Sequence, residues 1–160
     1  MKKTILSTLL ISVFALSAIF ITSCKKDKKD EDKKEEPKPP TNKELVMSNT
    51  WKVTKVMSQG IDVWNSSILP IFQPCQKDNT YQFQADDLLL IDEGETKCND
   101  ADAQTQQGAW MMVGKDRMFI DVIFLTDTAE IVSISKTQLV LKANIESFGV
   151  DGDIYFDKVK

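Results

Sequence analysis

The 160-residue chain contains no histidine. That one absence excludes Ser-His, Cys-His and histidine-metal chemistry. Cysteine is scarce, present only as Cys24, Cys75 and Cys98, too little for an ordinary zinc site without histidine. Calcium-loop spacing is also missing, since Asp100 is followed by no Gly at the sixth position and no Glu at the twelfth. Carboxylates remain, but Asp92, Glu93 and Glu95, and Asp100 and Asp102, stand in polar segments that read as solvated turns. Catalytic residues, a metal and a cofactor are therefore not expected. The apolar and charged fractions, 42% and 28%, are ordinary for a globular protein. They exclude both a chain disordered throughout and a multi-span membrane protein.

What is present is sharply partitioned. Lys2 and Lys3 precede an apolar stretch from Ile5 to Ile21 that ends in Thr22, Ser23 and Cys24. This is the order of a signal peptide over residues 1–23. The stretch is nearly long enough for an uncleaved membrane anchor, but Ser7, Thr8, Ser12 and Ser17 dilute it and a small residue precedes the cysteine. The segment Phe20 to Cys24 resembles the lipobox of bacterial lipoproteins, with Ile21 where Leu is commonest. The resemblance implies a diacylglyceryl group on Cys24, which becomes the new N-terminus, and so a membrane partner reached through lipid. Several acyl chains, at about 0.8 kcal/mol per buried methylene, suffice to hold a protein on a bilayer.

From Lys25 to Glu36 the chain is almost wholly Lys, Asp and Glu, followed by Pro37, Lys38, Pro39 and Pro40. Such a segment cannot build a core. Residues 24–44 thus form the lipidated cysteine and a flexible tether reaching about 66 Å extended or roughly 25 Å as a coil. Lys26-Asp27 and Lys29-Asp30-Glu31-Asp32 resemble the surface-export signal of lipoproteins in one large group of Gram-negative bacteria. The implied address is the outer membrane, with display at the cell surface.

Residues 45–160 carry the folded domain. Strand-length runs recur about every eight to twelve residues, the pattern of an all-β sandwich or barrel. Trp51 and Val53 alternate with Lys52 and Thr54, and Tyr81 and Phe83 with Gln82 and Gln84. Period two means one buried face. Further strands are expected over Leu88–Ile91, Ala109–Val113, Met118–Phe124, Glu130–Ser135, Gln138–Ala143 and Asp153–Val159. The Asp86-Asp87 and Gly114-Lys115-Asp116 segments read as turns, Asp151-Gly152 as part of the last loop, and Ser66–Phe72 as a short helix limited by Pro70. Eight sequential antiparallel strands imply an up-and-down barrel.

Cys75 to Asn79, Tyr81, Phe83, Cys98, Gly108-Ala109-Trp110, Ile154 and Phe156 resemble the lipocalin-like domain of secreted bacterial lipoproteins. Trp51 follows Asn49 and Thr50 where that family usually has a Gly before the tryptophan. The resemblance implies the barrel; it assigns no activity.

With Cys24 committed to lipid, Cys75 and Cys98 form an even pair in an exported chain, and a disulfide is expected over free thiols. The domain holds 17 acids and 10 bases, a net of 10 − 17 = −7. Nucleic acid is a poor partner for that charge. Asp127-Thr128-Ala129 resembles a short O-glycosylation acceptor, which would place a glycan on Thr128, although a turn before a strand explains the same residues. Two function classes follow. In one, Trp51, Phe83, Trp110, Met112, Ile120 and Phe156 line a pocket for a small apolar ligand. In the other they fill the barrel, and a surface protein or glycan partner meets the outside.

Overall fold

The computed structural model describes residues 37–122, 124–145 and 149–159. The signal peptide, Cys24 and the tether up to residue 36 lie outside the described residues, and the end of the expected tether, Asn42 to Glu44, is the start of a helix rather than flexible chain.

The fold opens with α1 (Asn42–Met47), started by a capping box in which Thr41 accepts from the Glu44 N–H at 3.3 Å while Glu44 accepts from the Thr41 N–H at 2.6 Å. That backbone donor is the main reason the Glu44 carboxyl sits below its usual range. Strand β1 (Thr50–Ser58) follows, then β2 (Ile61–Asp62), β3 (Thr80–Phe83), β4 (Leu88–Asp92), β5 (Thr105–Met112), β6 (Arg117–Val122), β7 (Leu125–Ile134), β8 (Gln138–Ile145) and β9 (Val150–Lys158). Every pairing is antiparallel, and β9 returns to β1, with Val53 opposite Phe156 and Val56 opposite Ile154. Strands β1 and β3 to β9 thereby close an eight-stranded up-and-down barrel, and β2 is a short flap on the end of β1. Gln59 and Gly60 turn into that flap with φ of 49° and 80°, as a two-residue hairpin requires.

On its other edge β1 bonds to β3 only at its start and to β2 only at its end. The loop from residue 63 onward fills part of the interval: the Val63 N–H donates to the Val56 carbonyl at 2.9 Å and the Asn65 amide to the Thr54 carbonyl at 3.2 Å. Closure and loop coverage remove the exposed strand edges that would otherwise invite intermolecular pairing.

One mouth of the barrel carries α1. Val46 is buried, its carbonyl accepts from Trp51 Nε1 at 2.7 Å, and Asn42 and Asn49 donate to the carbonyls of Lys115 and Lys136 in the β5–β6 and β7–β8 turns. The opposite mouth lies beneath the β2–β3 loop, where Trp64, Phe72 and Phe124 meet with centroids 4.6 to 5.9 Å apart. Such edge and tilted contacts add to the area that the rings bury.

Sequence and structure part in several places along the chain. Ser66–Phe72 is not a helix. The Ser66 hydroxyl accepts from the Leu69 N–H at 3.0 Å, the Ile71 N–H bonds to the Leu69 carbonyl, and Pro70 has no N–H to give. A short 3-10 helix forms instead at Pro74–Gln76. Phe124 is not the last residue of a strand but packs beyond the end of β6. Strand β7 begins at Leu125 because Val122 pairs with Leu125, so Asp127 and Thr128 are in mid-strand rather than in a turn. Asp151 and Gly152 are strand residues too, opposite Asn144 and Ala143.

Glycine matters in β5. A Cβ on Gly108 would run into the backbone carbonyl of Asp121 on β6, so the absence of a side chain lets the two strands cross closely. Gly108→Ala is expected to lower stability by about 1 to 3 kcal/mol, the usual cost of overpacking against a wall that cannot yield. Urea denaturation of the two proteins measures the difference.

Candidate functional site

Period-two alternation sends one side chain in two into the barrel, and the expected interior residues are there. Trp51, Phe83, Trp110, Ile120 and Phe156 are at most 1% exposed. Met112, half-buried, packs against the same core. Phe83 and Trp110 stack edge to face at 5.2 Å, and Tyr81 and Phe156 do so at 5.7 Å. Trp110 Nε1 donates to the Gln84 carbonyl at 2.9 Å, which satisfies its one polar atom and fixes the ring. Met118, Leu89, Leu139, Leu141 and Ile154 pack into the same cluster. Side chains of this size are able to fill the interior of an eight-stranded barrel.

Cys75 and Cys98 form a disulfide with Cα atoms 5.1 Å apart. It ties the far arm of the β2–β3 loop to the β4–β5 loop. Thr128 lies half-buried on β7, its N–H bonded to the Asp127 carboxylate at 2.6 Å. It lines an open cleft of about 620 Å³ together with Arg117, Glu130, Lys142 and Asn144. A second cleft of about 530 Å³, between Thr41–Lys43 and Met112–Asp116, borders α1. Both open on the outside of the domain. Among the described residues no group of three His, Cys, Asp or Glu side chains is placed to hold a metal ion. Nor is any helix among them long and apolar enough to cross a membrane.

A polar layer escaped the sequence reading. Glu93, expected as a solvated turn residue, is 2% exposed, and Asn79 is 1% exposed. The alternation that turns Tyr81 and Phe83 inward carries one step further to Asn79, that of Leu89 and Ile91 to Glu93, and that of Trp110 and Gly108 to Gln106. The Thr80–Asp92 pairing sets the next residues, Asn79 and Glu93, across from each other. Glu93 accepts from the Gln106 amide and from the Cys98 N–H, the latter at 3.2 Å. Neither the Asn79 amide nor the Tyr81 hydroxyl makes a hydrogen bond of normal geometry, although the two lie side by side. Burial pushes the Tyr81 phenol far above its ordinary range, opposed in part by the Asn79 side chain. Asp78, next in the chain, accepts from the N–H groups of Glu95 and Thr96 at 3.0 and 2.8 Å and so helps the disulfide bind the two loops together.

Searches against protein-family models and against curated proteins find no match for this chain.

Proposed function

We propose that this chain is a secreted bacterial lipoprotein, held at the outer membrane by acyl chains on Cys24, whose lipocalin-like barrel is a non-catalytic surface interaction or structural module. The observation that carries the module reading is the barrel interior. The six aromatic and aliphatic residues that would line a carrier's pocket instead pack into one core, five of them fully buried. Recognition is then left to the outer wall and the loops, where binding residues of rigid scaffolds are commonly placed. The anchor reading is supported by Thr22-Ser23-Cys24 after an apolar run and by the charged, proline-rich stretch behind it. The lack of histidine supports the non-catalytic part.

Metabolic labelling with a fatty acid tests the anchor. Label should enter the natural chain and be lost in Cys24→Ser, which should also leave the outer-membrane fraction. A Cys24→Ser chain that still labels and still fractionates with the outer membrane would sink the reading. Native mass spectrometry separates module from carrier: the module arrives without a co-purifying apolar molecule, and a stoichiometric one would favour the carrier.

A further inference from the structure

We infer that the disulfide end of the barrel holds a binding site for a small primary ammonium ion, built from Glu93, Asn79 and Tyr81. This goes beyond the module reading, because the site lies at the mouth under the β2–β3 loop and leaves the aromatic core in place.

Glu93 is the first reason. A carboxylate at 2% exposure is costly to hold without a counter-charge. Its recorded partners are an amide and a backbone N–H, and among the described residues no lysine or arginine pairs with it. Two neutral donors solvate the charge without cancelling it. Asn79 is the second and independent reason. Its side chain is 1% exposed on the same inward face, and neither its amide atoms nor the Tyr81 hydroxyl beside it makes a hydrogen bond of normal geometry, although the two side chains lie close enough to interact. A buried polar atom left in that condition costs free energy that a partner would recover.

The ligand follows from the inventory. Glu93 offers negative charge, while the Asn79 carbonyl and the Tyr81 hydroxyl oxygen offer acceptors. Their common complement is a compact cation with several N–H donors. A quaternary ammonium has the charge but not the donors. The metal alternative is disfavoured because the described residues bring no three ligating side chains together. The occupant must be small, since the Cys75–Cys98 bridge and the Trp64, Phe72 and Phe124 rings close over this end. Gln106 is only half-buried and gives the layer an edge toward solvent.

The test is a titration of the ¹⁵N-labelled full chain in detergent with methylammonium chloride, followed by NMR at constant ionic strength. Saturable shifts are expected at the Asn79 and Gln106 side-chain amides and at the Cys98 N–H, with none from tetramethylammonium or sodium. Glu93→Gln keeps the shape but removes the charge, and should weaken binding at least tenfold. Tyr81→Phe should weaken it severalfold and guards against a Glu93→Gln chain that fails to fold. Asp100→Asn, in the exposed part of the β4–β5 loop, should change nothing. Absence of saturable shifts in the natural chain overturns the proposal. So does undiminished affinity in either site variant, or equal binding of tetramethylammonium.

Discussion

Trp110→Ala should lower the unfolding free energy by about 3 to 5 kcal/mol, the range for deleting a large core aromatic. In a domain of this size that corresponds to a fall in Tm of about 10 to 20 °C. The indole contributes on three counts. It is 1% exposed, it stacks on Phe83 at 5.2 Å, and its Nε1 donates to the Gln84 carbonyl, which loses its partner in the variant. Its neighbours are held by a closed ladder of strands and have little freedom to collapse into the gap. Guanidinium denaturation followed by circular dichroism measures the loss. A hollow barrel would respond differently, with a small stability change and altered binding of an apolar fluorescent probe, and that result would return the carrier reading to first place.

Removing the disulfide should rank next. Cys75→Ala with Cys98→Ala opens a bridge with a sequence separation of 23, and the chain-entropy account sets the loss at about 3 kcal/mol. Reduction of the natural chain should give the same shift in denaturation midpoint. Denatured, unreduced protein should show neither cysteine to a thiol reagent. Two reactive thiols at Cys75 and Cys98 would refute the bridge, and an unchanged midpoint on reduction would deny it any energetic part. The Asp78 contacts with Glu95 and Thr96 span the same two loops. The loss should therefore be partial, leaving a folded barrel with a loosened mouth.

The parts of the fold legible in the sequence are those governed by a short period. Alternation over Trp51–Val53, Tyr81–Phe83 and Met118–Val122 found both the strands and their inward faces, because a barrel wall buries every second residue. The closing of first strand on last was carried by strand count and family resemblance, since no local pattern in β1 marks Phe156 as the neighbour of Val53. The helix α1 was missed because Thr41 to Glu44 continues the polar texture of the tether, although the Thr-x-x-Glu spacing is itself a start signal. Glu93 was misjudged for a related reason. Its neighbours Asp92, Gly94 and Glu95 have turn composition, and only the continuing alternation after Leu89 and Ile91 pointed inward. Asp127 and Thr128 failed in the opposite sense, because strand β7 tolerates polar residues where its outer face meets solvent.

The return of β9 to β1 also bears on how the chain can fold. Trp51 and Val53 belong to the first strand of the barrel, yet part of their surroundings, Phe156 and Lys158, is synthesised only after every other strand of the barrel. No partial chain can complete the ring, so the wall stays open and its apolar lining wetted until the final strand arrives. Ring closure is a pairing of maximal sequence separation, and chains dominated by such pairings reach the native state in milliseconds to seconds rather than microseconds. During that interval the incomplete sheet has two unpaired borders, β1 and the most recently added strand, and is at its most vulnerable to association with other chains. A truncation that removes only β9 should prolong that vulnerable state indefinitely, even though every residue of the other strands is retained.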